Sequence, residues 1–180
     1  MQIIGITGTL GAGKGTIVEY LTENRDFQHY SVRQFLIEEI EKRGLPINRD
    51  SMTNVANELR AANTPYYIVG ELYKQAMSSG KNAVIESIRT PGEVEFLQQQ
   101  GSFILIAVDA DSKLRFDRIK KRKSATDQID YATFLSNEKR EMTTADPNKQ
   151  NLQKCIKMAD FILNNNGSIG ELIEKLEEKL

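Results

Sequence analysis

The chain has 180 residues, 24 Lys and Arg against 25 Asp and Glu, a net charge of −1, and 39% hydrophobic with 27% charged residues. That length and balance predict one globular domain with one substantial core, outside the disordered class. A general nucleic-acid coat or a polybasic membrane binder would be far more positive.

Single residues narrow the chemistry further. Cys155 is the sole cysteine and His29 the sole histidine. An intramolecular disulfide and a multi-cysteine zinc cluster are therefore excluded, and a His-based metal site or serine–histidine relay is disfavoured. Cys155 reads as a small hydrophobe and His29 as structural. No run approaches the ~20 apolar residues needed to span a bilayer. The opening MQIIGITGTLGAGKGT lacks the apolar stretch of a signal peptide. A cytoplasmic protein acting as a monomer, without nucleic-acid or membrane partners, is expected.

In chain order, five short apolar runs alternate with helical patterns: 3–6, 28–31, 83–86, 103–108 and 161–163. Runs such as FILIAV are continuous, as in parallel strands covered on both faces. Strands separated by helices give βαβ units and a three-layer α/β domain. Between the second and third strands, residues 32–82 are broken at Gly44-Leu45-Pro46 and Thr64-Pro65. Three helices are expected there, near 33–43, 51–62 and 66–78. Thr90-Pro91-Gly92-Glu93 and Ser168-Ile169-Gly170-Glu171 carry capping-box spacing. Asp111 is placed to cap a helix over 111–123. A polar stretch and a second helix, 131–142, then lead to Asp146-Pro147.

The strongest motif is Gly8-Thr9-Leu10-Gly11-Ala12-Gly13-Lys14-Gly15-Thr16, after a strand and before a helix. Glycines let backbone N–H groups approach phosphate oxygens, and the helix N-terminus adds partial positive charge. Lys14 adds a formal charge for the β and γ phosphates. A mere tight turn would not explain that lysine. Gly15 stands where a P-loop usually carries the magnesium-binding hydroxyl, so Thr16 is assigned to the α-phosphate. Mg²⁺ would then be held by phosphates and by water oriented by a carboxylate. Glu86, ending a strand, is the first candidate and Asp109 the second; an exposed strand-end charge is the plain alternative for Glu86.

This GxxGxGKGT spacing resembles the nucleoside monophosphate kinases, typified by adenylate kinase. Glu86-Ser87-Ile88-Arg89-Thr90 resembles the family's Asp-Gly-Phe-Pro-Arg-Thr, one residue shorter. Arg118 and Arg122 resemble the arginine pair that opens its lid. The stretch from Ala159 to Gly167 is similar to the last strand and loop of dephospho-CoA kinases and of an archaeal group of adenylate-kinase-related proteins. The resemblance implies a five-stranded parallel sheet in the order 2-3-1-4-5, an acceptor-binding insertion (32–82) and a lid (123–148). It implies ATP as phosphoryl donor, a small-molecule nucleotide as acceptor, and Asn165 and Gly167 near the adenine. One departure is clear: Ile37 stands where adenylate kinases carry an acceptor-binding arginine, with Arg33 one turn earlier.

Arginine suits phosphoryl transfer because it stays protonated and offers a planar fork to phosphate. Seven of the eleven residues 113–123 are Lys or Arg, which elsewhere would read as a solvated face. Their place before the lid favours Arg118 and Arg122 as phosphate ligands. Arg140 either reaches the phosphates or pairs with Glu141 and its neighbours. Arg89, then Arg60 and Arg33, are the acceptor-binding candidates. Tyr66 and Tyr67 are placed either to stack on a base or to pack. The reading is an ATP- and Mg²⁺-dependent nucleotide kinase. A dephospho-CoA kinase is the alternative within the class, and a P-loop NTPase or nucleotide sensor the alternative outside it.

Overall fold

The computed structural model describes residues 1–122, 124 and 128–180. Its strands are β1 (Ile3–Gly8), β2 (Gln28–Ser31), β3 (Ala83–Glu86), β4 (Phe103–Asp109) and β5 (Phe161–Asn164). They form one sheet in the order β2-β3-β1-β4-β5 with every pairing parallel, as expected. Central β1 is buried along its whole length, because strands flank it and helices cover both faces.

Alternation of side chains divides the core. Ile3, Ile85 and Leu105 face one side, under α2 (Val32–Lys42), α3 (Arg49–Ala62), α4 (Tyr67–Ser79), α5 (Pro91–Gln98) and α8 (Leu152–Lys157). Ile4, Ile6, Val84 and Ile106 face the other, under α1 (Lys14–Asn24) and α9 (Ile169–Glu177). Three layers result. Two further helices, α6 (Ser112–Arg122) and α7 (Tyr131–Met142), meet through Phe116, Tyr131 and Phe134.

Caps explain the boundaries. Ser31 accepts a hydrogen bond from the Gln34 amide and opens α2 directly after β2. Asn48 does the same for α3 through the Ser51 amide, so this helix begins at Arg49 rather than at 51. The Thr90–Glu93 box closes as the spacing predicts, and Ser168 and Asp111 cap α9 and α6. Cys155 is buried, and burial pushes its thiol up to about 12, so it is an inert packing residue. No helix among the described residues is long and apolar enough to cross a membrane.

Candidate active site

The turn from β1 to α1 is built on left-handed glycines: Gly8, Gly11 and Gly13 have φ of 134°, 77° and 107°. A Cβ on Gly8 would lie 2.1 Å from the Val108 carbonyl oxygen, and one on Gly13 would lie 2.2 Å from the Asn165 amide nitrogen. These positions admit only glycine. Asn165 Nδ2 donates to the Ala12 carbonyl at 2.8 Å, so the loop after β5 braces the turn.

Lys14 opens α1 and folds back over this turn. Its Nζ donates to the carbonyls of Gly8 and Thr9 at 3.0 and 2.8 Å. Only 8% of the residue is exposed. Burial, with repulsion from Arg89 next, pulls the ammonium down to about 8, although Glu86 and Glu141 act in the opposite direction. Among the described residues its hydrogen bonds go to these two carbonyls, and the ammonium stays under-compensated despite Glu86 and Glu141, a deficit that a phosphate fits.

The turn opens into a cavity of about 560 Å³ that runs from Gly11, Gly13, Lys14, Gly15 and Thr16 to the insertion helices. Its far end has an apolar wall from Val32, Leu36, Met52 and Ala56. Arg33, Arg49, Arg60, Arg89, Arg118 and Arg122 also line it, with carboxylates from Glu86 and Glu141. Most candidate arginines therefore converge on one space.

The candidates differ in how they are held. Arg118 donates to the Asn165 carbonyl at 2.9 Å, and its Nη1 is buried with no partner among the described residues. Arg60 is 1% exposed and pairs through Nε and Nη2 with Glu93 at 3.1 and 2.8 Å. Its Nη1 is likewise unpartnered. Leaving a charged donor unmet in the interior is costly, so both positions favour an anion. Glu86 lies 3.5 Å from His29 Nε2 and accepts from the Ser87 hydroxyl at 3.2 Å. Burial raises the Glu86 carboxyl, but His29, Lys14 and Ser87 outweigh it and hold the group below the usual carboxylate range. Glu86 thus stays ionised, as orienting metal-bound water requires. Among the described residues no three His, Cys, Asp or Glu cluster to hold a metal. The donor set therefore fits Mg²⁺ only with phosphates and water completing its shell.

Three sets of candidates lie outside the cavity lining. Arg140 points away from the cavity and pairs with Asp50 at 3.1 Å, because the inward face of α7 carries Phe134 and Glu141 instead. Asp109 is outside the cavity lining and accepts the Thr9 hydroxyl at 2.7 Å, with Arg115 at 3.7 Å. Gly8, Ala12, Asn165 and Gly167 shape the turn and the loop after β5 without lining the cavity. The lid range 123–148 includes residues 123 and 125–127, which lie outside the described residues. Its helix α7 is docked: Phe134 is 1% exposed, and Arg115 grips Glu138 through two bonds of 2.6 and 3.0 Å.

Sequence reasoning missed Arg49, Glu141 and Gln150. Glu141 accepts Arg49 Nη1 at 3.0 Å and Arg89 Nη1 at 2.7 Å, and Gln150 Oε1 accepts Arg89 Nη1 at 2.8 Å. The available signal was periodicity. Glu141 lies seven residues after Phe134, two turns on along the same face, where a carboxylate must face a partner.

Residues 4–146 match the AAA domain family. A UPF0200 protein of Methanococcus maripaludis (strain C7) is 30% identical over 187 residues, covering 100% of this chain and 96% of that one. The chain belongs to the AAA domain family and to the UPF0200 proteins. A UPF0200 protein of Methanocaldococcus jannaschii is 28% identical over 183 residues, covering 100% and 89%. Among solved structures, a shikimate kinase from Bacteroides thetaiotaomicron superposes with a TM-score of 0.61 at 13% identity, covering 99% and 97%. A gluconokinase from Sinorhizobium meliloti gives 0.60 at 12%, covering 97% and 88%. This UPF0200 protein therefore has the fold of P-loop kinases.

Proposed function

We propose that this UPF0200 protein is an ATP- and Mg²⁺-dependent kinase that transfers the γ-phosphoryl group to a nucleoside monophosphate or similar nucleotide. The observation that carries the reading is the single cavity joining the Lys14 turn to an arginine-lined chamber under α2 and α3. A hydrolase needs room for water at the γ-phosphate, not a second chamber with its own guanidinium groups.

Mg²⁺ bound with ATP would neutralise phosphate charge and fix the phosphate geometry. The protein's own contribution is positioning and electrostatics. Lys14 and the amides of residues 11–16 hold the β- and γ-phosphates. Arg118 and Arg122, one turn apart on α6, meet charge on the transferred group. Arg89, Arg60 and Arg33 receive the acceptor's anionic end, and the apolar wall takes its uncharged part. Glu86, kept ionised, would orient water on a bound Mg²⁺. The arginine set supports a kinship with adenylate kinases.

A second reading, dephospho-CoA kinase, is supported by the sequence similarity around β5. Its hydroxyl acceptor wants a carboxylate base. Glu86 and Glu141 are the cavity carboxylates, and both lie below the usual range, which suits a base poorly. The test is labelled ATP incubated with a panel of ribo- and deoxynucleoside monophosphates plus dephospho-CoA. Label on a monophosphate supports the proposal. Label on dephospho-CoA alone favours the second reading, and label only in inorganic phosphate makes the protein an NTPase.

A further inference from the structure

We infer that Glu141 is a positioning residue for the acceptor's anionic group, holding Arg49 and Arg89 in a fixed orientation in the cavity that Lys14 also lines. The inference deepens the kinase reading and rests on it for the word acceptor; the anion-binding claim stands on the geometry alone.

Glu141 is buried, and its two oxygens are divided between two guanidinium groups from different elements. Arg49 opens α3 in the insertion, and Arg89 follows β3. Gln150, just before α8, adds a second anchor to the same Arg89 nitrogen. Arg89 is thus tied through Nη1, while its Nε and Nη2 have no side-chain partner among the described residues. Its backbone is fixed as well: the Arg89 amide donates to Glu93 Oε2 at 2.8 Å, and its carbonyl accepts the Asn151 amide at 2.9 Å. A guanidinium held on one edge and open on the other is prepared for bidentate contact with phosphate or carboxylate. Arg60 repeats the arrangement nearby, held by Glu93 through Nε and Nη2 with Nη1 unmet. Two buried carboxylates, Glu141 and Glu93, therefore each hold an arginine of the same cavity. The ligand class this fits is a phosphate-bearing molecule whose anion enters between α3 and β3.

Two physical pictures give opposite signs. If the cavity attracted anions by charge alone, neutralising Glu141 would make it more positive and tighten phosphate binding. If Glu141 orients the arginines, neutralising it releases them and weakens binding. The experiment fills the Lys14 turn with a non-hydrolysable ATP analogue and then titrates inorganic phosphate by calorimetry. Glu141→Gln should weaken phosphate by about tenfold, the worth of one aligned charge-assisted bond. Glu141→Asp keeps the charge and should recover most of that loss. Thermal unfolding close to that of the unaltered protein shows that both variants fold, and because Glu141 also acts on Lys14 through space the loss for phosphate is read relative to any change for the ATP analogue, which it should exceed several-fold. Should Glu141→Gln fail to fold, Gln150→Leu removes one anchor of Arg89 and leaves the carboxylate; it should weaken phosphate by about threefold. Phosphate binding that is unchanged or tighter in whichever variant folds would overturn the inference. Because no turnover is read, a protein that binds phosphate this way but transfers to no monophosphate would sink the kinase reading and leave this one standing.

Discussion

Lys14 concentrates the chemistry of the site in one side chain, and its burial makes two predictions. If Lys14 meets the phosphates as proposed, Lys14→Ala removes a charge-assisted contact and should lower turnover at least ~100-fold, with more loss in kcat than in ATP affinity. Thermal unfolding should show the fold intact, because among the described residues Nζ hydrogen-bonds to the turn's own carbonyls. The second concerns pH. The Lys14 ammonium titrates near 8 in the empty protein, below its ordinary 10.5, and phosphate favours the charged form. Between those values, nucleotide binding must therefore take up a proton, and affinity must fall as pH rises through about 8, by up to about tenfold per unit. Calorimetry in buffers of different ionisation enthalpy reads the proton directly; no uptake at pH 9 would mean that burial does not depress Lys14 in the empty protein. Glu86→Gln keeps the shape and removes the charge. The Mg²⁺ concentration for half-maximal rate should rise, while metal-free ATP binding changes little. An unaltered Mg²⁺ dependence returns Glu86 to a strand-end charge paired with His29.

At the scale of elements, α7 decides how the far side of the cavity is made. Phe134 packs on Phe116 and Tyr131, with the Arg115 guanidinium 5.4 Å from its ring. Phe134→Ala should cost about 3–5 kcal/mol in urea unfolding, and should loosen Glu141 with it. A cost below about 1 kcal/mol would mean that α7 is not docked as described. The same helix shows what was legible beforehand. All five strands and the three insertion helices follow from apolar runs, Gly and Pro breaks and caps, because those are local signals. The phosphate turn was legible for the same reason: its glycines and Lys14 are consecutive. Arg49, Glu141 and Gln150 were not, since they come from α3, α7 and the segment before α8 and acquire meaning only through contacts 52 to 92 residues apart in sequence. Arg140 is a candidate through the lid helix that carries it, yet a helix turns adjacent residues to different faces, and Glu141 rather than Arg140 lines the cavity.

For the whole molecule, the parallel sheet places its loops at the C-terminal ends of the strands, where open α/β sheets hold ligands. β1 delivers the phosphate turn, β3 delivers Glu86 and Arg89, and β4 leads into the arginines of α6. The insertion supplies the opposite wall. The central claim is that two nucleotides lie in line across this one cavity. The most direct measurement uses the acceptor identified with labelled ATP. A bisubstrate analogue, joining adenosine to that acceptor's nucleoside through a chain of phosphates, is titrated against the protein beside ATP alone, in one buffer because salt screens phosphate contacts. The account predicts that the analogue binds at least ~100-fold more tightly than ATP, by filling both halves at once. It also predicts that Arg122→Ala weakens the analogue more than it weakens ATP. An analogue that binds no tighter than ATP would contradict the account, because the chamber under α2 and α3 would then not be the acceptor's site.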